Sequence, residues 1–241
     1  MYYTTRSQTT MLGRLLSFAL LMFTPVTGEN ITLEYQRYWA VTPSSDIKVP
    51  VQLGVMSRCP DALLCENVFD RVLEKVSERV DLSLIYIAKI NASEPYFGVQ
   101  CLHGPQECAG NVQQLCVAEY EPAIKWWQFI QCQNFQGRTM IGDPGTAMKC
   151  AKASGFDWES SDVGHCAGKD GSGRSIEGIN LLKQSIAMAE HLHVEKSCTV
   201  LINGRKVCIH DGTWKQCEDG HTVNDFVRQI NDEYERLNKK L

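Results

Sequence analysis

Residues 47–90, IKVPVQLGVMSRCPDALLCENVFDRVLEKVSERVDLSLIYIAKI, hold three elements in a row. Ile47–Val55 alternates and is rich in β-branched residues, the pattern of a strand, with Pro50 removing one ladder donor. Leu63, Leu64, Val68, Val72, Leu73, Val76 and Val80 then recur mostly three or four apart, which predicts an amphipathic helix over 60–79 with Pro60 at its first position. Leu82–Ile90 is almost continuously apolar, as in a strand covered on both faces. Two strands joined by a helix pair in parallel with a right-handed crossover. Cys59 then falls just beyond the carboxyl end of the first strand, the edge where α/β sheets place their chemistry.

Downstream the period changes. Val112–Phe135, Pro144–Ser154 and Ile176–Leu192 read as helices, interrupted by the polar loop Gly168–Gly173. Trp126 and Trp127 lie within the first of them and read as packing residues. Strands return at Thr199–Ile202 and Lys206–Ile209, separated by Asn203-Gly204, the strongest short-range hairpin signal. A helix over His221–Leu241 ends the chain. The order β-α-β, helical insert, β-β-α predicts an α/β, thioredoxin-like fold with an inserted helical lobe.

The N-terminus carries Arg6 and Arg14, an apolar run Leu15–Phe23, then Pro25, Thr27 and Gly28, which reads as a signal peptide over 1–28. That run is far shorter than the roughly 20 residues a membrane span needs, and no later segment supplies one. The remainder, 29–241, is expected to form a single domain, destined for secretion or an endolysosomal or vacuolar lumen. Without Arg6 and Arg14 the chain has 22 basic against 28 acidic side chains, which gives no electrostatic footprint for nucleic acid. Asn30-Ile31-Thr32 and Asn91-Ala92-Ser93 are candidate glycosylation sites.

Eleven cysteines in an exported chain argue for disulfides before metal, and the odd count leaves one thiol over. Neither His191/His193 nor His165-Cys166 has a zinc-ligand spacing, and no cofactor is expected. Cys59, as N-cap of the helix that Pro60 opens, places its sulfur among unpaired backbone N–H groups at the positive helix end, beside Arg58 but also near Asp61. That setting favours thiolate chemistry. Cys65 lies about 9 Å along the helix from Cys59, beyond the roughly 7 Å that a disulfide spans. Cys108 and Cys116, about 12 Å apart if helical, are expected to bond outward to cysteines such as Cys132, Cys150 or Cys166 and to staple the lobe to the sheet. In a two-residue hairpin Cys198 and Cys208 face opposite sides, so Cys208 closes more naturally on Cys217. With Cys59 free, the other ten cysteines can form five bridges.

The run from Cys101 to Cys116 carries Cys101, His103, Gly104, Glu107, Cys108, Asn111 and Cys116 in the spacing C-x-H-G-x-x-E-C-x-x-N-x-x-x-x-C. It resembles the signature of the gamma-interferon-inducible lysosomal thiol reductase family, and the wider resemblance runs from about 47 to 210, with 101–193 as signature block and insertion. The resemblance implies a thioredoxin-like fold and reduction of, or thiol transfer to, disulfides of protein substrates, with Cys59 as nucleophile. The family's second active-site cysteine corresponds to Ala62, and its cis-proline position to Cys198. Two roles stay open for Cys198: a resolving thiol for Cys59, or a structural half-cystine. An external low-molecular-weight thiol is the other means of resolution. The alternative function is a disulfide-stapled binding module with impaired redox turnover.

Overall fold

The computed structural model describes residues 46–239. The signal peptide over 1–28 and the Asn30 site lie outside them. The elements are β1 (Val49–Val55), α1 (Pro60–Val76) with a 3-10 turn at Ser77–Arg79, β2 (Val80–Tyr86), a small ribbon of β3 (Lys89–Ile90) and β4 (Val99–Gln100), then α2 (Pro105–Tyr120), α3 (Ala123–Gln136), α4 (Pro144–Ala153), α5 (Asp162–Ala167) and α6 (Ile176–His191), and finally β5 (Thr199–Ile202), β6 (Arg205–Asp211), β7 (Thr213–Lys215) and α7 (Val223–Asn238). The main sheet runs β2-β1-β5-β6-β7; β1 and β2 are parallel and the other neighbours antiparallel.

Period-2 alternation sorts β1 between two layers. Val49, Val51, Leu53 and Val55 are buried in the main core under α1 and α7, where Phe69 and Phe226 meet with ring centroids 5.0 Å apart. The other face carries a smaller cluster of Ile85, Leu201, Ala189 and Val194 at the end of α6. Gly54 belongs to that side, because a β-carbon there would lie 2.2 Å from Val194 Cγ1. Pro50 is tolerated in this central strand because the ladder to β5 begins at Val51, and Pro50 contributes only its carbonyl, which accepts from the Asn203 N–H at 2.7 Å.

Several expectations are corrected. The buried stripe of α1 runs through Ala62, Cys65, Glu66, Phe69, Val72, Leu73 and Val76, so Leu64 is exposed and a glutamate enters the core. β2 stops at Tyr86 and is an edge strand with Asp81 and Ser83 exposed, not a strand covered on both faces. The helix expected over Val112–Phe135 is two, because Pro122 has no N–H to continue the first and serves as N-cap of the second. In the β5–β6 hairpin, Asn203 and Gly204 take the positive φ their turn requires, +48° and +74°. A register shift between Val200 and Leu201 then places Cys208 opposite Val200. Cys198 and Cys208 therefore share a face, and the opposite-face argument fails, although Cys208 does bond Cys217.

The five bridges are Cys65–Cys198, Cys101–Cys108, Cys116–Cys166, Cys132–Cys150 and Cys208–Cys217. Cys108 bonds back to Cys101 rather than across the lobe, and the signature does not staple lobe to sheet: Cys116–Cys166 joins α2 to α5, and Cys132–Cys150 joins α3 to α4. Buried polar contacts make that connection instead. Tyr86 Oη donates to Gln114 Oε1 at 2.7 Å, Gln114 Nε2 to Gln133 Oε1 at 2.8 Å, Gln133 Nε2 to Gln113 Oε1 at 2.9 Å, and Gln113 Nε2 to the Gly171 carbonyl at 2.7 Å. Trp127 Nε1 donates to Asp70 Oδ1 at 2.8 Å and ties α3 to α1.

Candidate active site

Cys59 is the free cysteine of the chain, and it is buried. It caps α1 in extended conformation (φ −76°, ψ 128°) with Pro60 following, and its N–H donates to the Met56 carbonyl at 2.8 Å. The short loop 56–59 is held from three directions. Met56 N–H donates to Ser197 Oγ at 3.0 Å, from the segment entering β5. Ser57 N–H donates to Asn111 Oδ1 at 3.1 Å, and Arg58 N–H to Glu107 Oε2 at 3.2 Å, both from α2. Arg58 Nε and Nη2 each donate at 2.8 Å, to the carbonyls of Ile141 and Thr139. Burial pulls the Arg58 guanidinium below its ordinary value, against the opposing pull of Glu107.

The signature residues find their use in this loop. Glu107 and Asn111 stand one turn apart on α2, so both address the loop from the same helix face. Fully buried Glu107 also accepts from the His103 N–H at 3.2 Å and faces His103 Nδ1 at 2.5 Å. Gly104, at φ +88°, turns the chain into α2, and the Cys101–Cys108 bridge closes that turn, with Asn111 Nδ2 3.9 Å from Cys101 Sγ. Gly110 allows the close approach: a β-carbon there would lie 2.6 Å from Ile141 Cγ2 and 2.8 Å from Ser57 Oγ. Cys116 sits further along α2 and bonds Cys166, away from the loop. Beside Arg58 a cleft of about 570 Å³ opens between loop and lobe, lined among others by Phe97, Gln106, Met140, Asp143 and Arg174.

Cys198 is fully buried and bonded to Cys65, with Cα atoms 6.2 Å apart. That corrects the expectation of a resolving thiol: its sulfur is already engaged, because Cys65 on the buried stripe of α1 faces the start of β5. The proximity to Cys59 is nonetheless real, since Cys59 Sγ lies 3.8 Å from the carbonyl of Ser197. Ala62, expected to stand at the family's second-cysteine position, is fully buried. Asn91 is half-buried in the turn after β3, its Oδ1 accepting from the Ser93 N–H at 3.1 Å.

Two further side chains stand beside Cys59: Asp61, expected near it, and His210, to which the sequence assigned no role. Asp61 Oδ2 lies 3.9 Å from Cys59 Sγ, and Asp61 Oδ1 lies 2.5 Å from His210 Nδ1. His210 lies one residue beyond the second hairpin strand as expected, Lys206–Ile209, and within β6 as it forms, Arg205–Asp211. The shifted register pairs it with Cys198 through backbone bonds of 3.0 and 2.8 Å and so brings it to the cysteine.

Among the described residues no helix is long and apolar enough to cross a membrane. In structure the chain is similar to the MdbA protein of Corynebacterium diphtheriae, a thiol-disulfide oxidoreductase (TM-score 0.53, 14% identity, 79% of this chain and 86% of that one), and to oxidised BdbD of Bacillus subtilis (TM-score 0.52, 13% identity, 80% and 90%). The expected thioredoxin-like fold is thereby borne out. In sequence it is 27% identical to GILT-like protein 1 of Drosophila melanogaster over 161 residues, which is 60% of this chain and 60% of that relative's length. Residues 50–154, which contain Cys59 and the whole signature, match the family model described as gamma interferon inducible lysosomal thiol reductase. Through that segment the chain is similar to the gamma interferon inducible lysosomal thiol reductase family.

Proposed function

We propose that this protein is a thiol-disulfide oxidoreductase whose nucleophile is Cys59, acting on disulfide-bearing proteins after secretion or in an endolysosomal lumen. One observation carries the reading: ten cysteines are bonded in pairs, and the eleventh stands free at the head of a helix on the carboxyl edge of the sheet. The Cys59 sulfur attacks one sulfur of a substrate disulfide, a mixed disulfide forms, and the second substrate sulfur leaves as a thiol. Ala62 supplies no thiol to resolve the adduct. An external thiol does so, displacing the remaining substrate sulfur from Cys59, and a second equivalent frees Cys59 as the small disulfide departs.

The test is direct. The secreted protein, alkylated without reduction, should be labelled at Cys59. Incubation with a disulfide-bonded peptide should give an adduct mapping to Cys59, and Cys59→Ser should abolish both the adduct and thiol-dependent peptide reduction. A chain that forms no adduct, and reduces the peptide equally with or without Cys59, is instead a binding module on a redox fold.

A further inference from the structure

Among the described residues, the polar contacts of Cys59 Sγ are hydrogen-bond acceptors: the Ser197 carbonyl at 3.8 Å and Asp61 Oδ2 at 3.9 Å, the outer reach of an S–H···O contact. For the sulfur to attack, its proton has to leave, and these are the acceptors in contact with it. A peptide carbonyl is too weak a base to keep a proton, whereas a carboxylate is not.

Asp61 is held for that task. Its Oδ1 accepts from the Gly212 N–H at 2.9 Å and faces His210 Nδ1 at 2.5 Å, which leaves Oδ2 toward the sulfur. His210 is itself fixed. Its backbone exchanges two hydrogen bonds with Cys198, and its nearly buried ring meets Trp214 edge-on at 4.8 Å between centroids. The other charged or titratable groups nearby have partners of their own. Asp211 bridges Lys215 at 3.2 Å and Lys196 at 3.6 Å, His221 stacks on Trp214, and Arg58 points to the carbonyls of Thr139 and Ile141.

We propose that Asp61 is the proton acceptor and donor for thiol exchange at Cys59, and that His210 is the positioning residue that aims it. This rests on the reading of Cys59 as nucleophile. The Cys59 S–H proton passes to Asp61 Oδ2 as the sulfur attacks, and the Cys59–substrate bond forms as the substrate S–S bond breaks. The electron pair goes to the leaving sulfur, which takes the proton back from Asp61. When an external thiol enters, its proton follows the same path: Asp61 accepts it from the attacking sulfur and returns it to the leaving one. No proton is gained or lost in either exchange, and the external thiol is the reductant.

The test uses the mature chain with its five bridges intact and the neutral probe bis(2-hydroxyethyl) disulfide, following its reaction with Cys59 from pH 5 to pH 8. Asp61→Asn keeps an oxygen for the Gly212 N–H. It should slow the reaction by about 100-fold at pH 5, with the deficit shrinking toward pH 8 as solution base replaces the carboxylate. Formate should restore part of the rate in Asp61→Ala. His210→Gln, which leaves the carboxylate in place, should lose about tenfold with the same pH trend and keeps the proposal testable if the Asp61 variants do not fold. An Asp61→Asn protein as fast as the parent at every pH, or uniformly slow at every pH, overturns the assignment, as does an Asp61→Ala protein deaf to formate or a His210→Gln protein with the parent's profile. If Cys59→Ser leaves disulfide reduction unchanged, it is the reading of Cys59 that fails; if only the Asp61 and His210 results disagree, that reading stands.

Discussion

Glu66 lies one residue beyond a bridged cysteine, fully buried on the core face of α1, and burial pushes its carboxyl up to about 7 despite the hydrogen bond from Asn134 Nδ2 to its Oε2 at 2.6 Å. Its Oε1 and Asn134 Oδ1 are both buried without a partner. A proton on the carboxyl adds a donor to a pair otherwise short of one. The same carboxyl helps hold the nearby Tyr86 hydroxyl well above its usual range, after burial itself. A group that keeps its proton to about pH 7 when folded, but releases it near the ordinary 4.5 when unfolded, binds more protons folded than unfolded in between. Its contribution is therefore complete below pH 4.5 and is lost as pH rises through 7, a span on the order of 3 kcal/mol. Urea unfolding at pH 5 and pH 8 should show the parent losing stability across that interval relative to Glu66→Gln, whose amide does not titrate. Equal losses in the two proteins would refute it.

At the scale of elements, the loop that presents Cys59 is shaped less by α1 than by α2, which meets it through Glu107, Asn111 and the bare backbone of Gly110. Gly110→Ala should be felt there, because its methyl would collide with Ile141, itself fully buried, and with Ser57 in the loop. The cost expected for such overpacking is about 1–3 kcal/mol. Thermal melts should register it, and the alkylation rate of Cys59 should change as the loop shifts; a variant matching the parent in both would show that the contact is slack. The β-α-β start and the Asn-Gly hairpin were legible because period-2 and period-3.6 patterns and turn chemistry are local. The α2–α3 break was legible in principle at Pro122. What stayed hidden depends on three dimensions. The register shift between Val200 and Leu201 reverses which residues share a face, and with it the placement of His210. The stripe of α1 that turns inward takes in a bridged cysteine and a buried carboxyl and leaves Leu64 outside, which the spacing of the apolar residues does not reveal. Cys59 and the signature could be picked out as chemistry, but their connection runs through hydrogen bonds between segments about 50 residues apart.

Across the whole molecule the bridges divide their work by span. Cys116–Cys166 and Cys132–Cys150 close segments within the lobe, separated by 50 and 18 residues, whereas Cys65–Cys198 encloses the entire insertion, 133 residues apart, and ties α1 to the strand beside it. In the chain-entropy account a bridge stabilises by restricting the unfolded chain, more so for longer loops. The bridges nested inside shorten the effective Cys65–Cys198 loop but leave it the longest. Cys65→Ala/Cys198→Ala should therefore cost about 4–5 kcal/mol and Cys132→Ala/Cys150→Ala about 3 kcal/mol, read by denaturant unfolding at one pH. Because the longer bridge also anchors the strand whose leading Ser197 touches Cys59, its loss should speed alkylation of Cys59, while loss of the lobe bridge should leave that rate unchanged. If the lobe bridge proves the costlier of the two, or Cys59 reacts alike in both variants, the insertion folds as the stronger unit and Cys65–Cys198 is not what closes the molecule around Cys59.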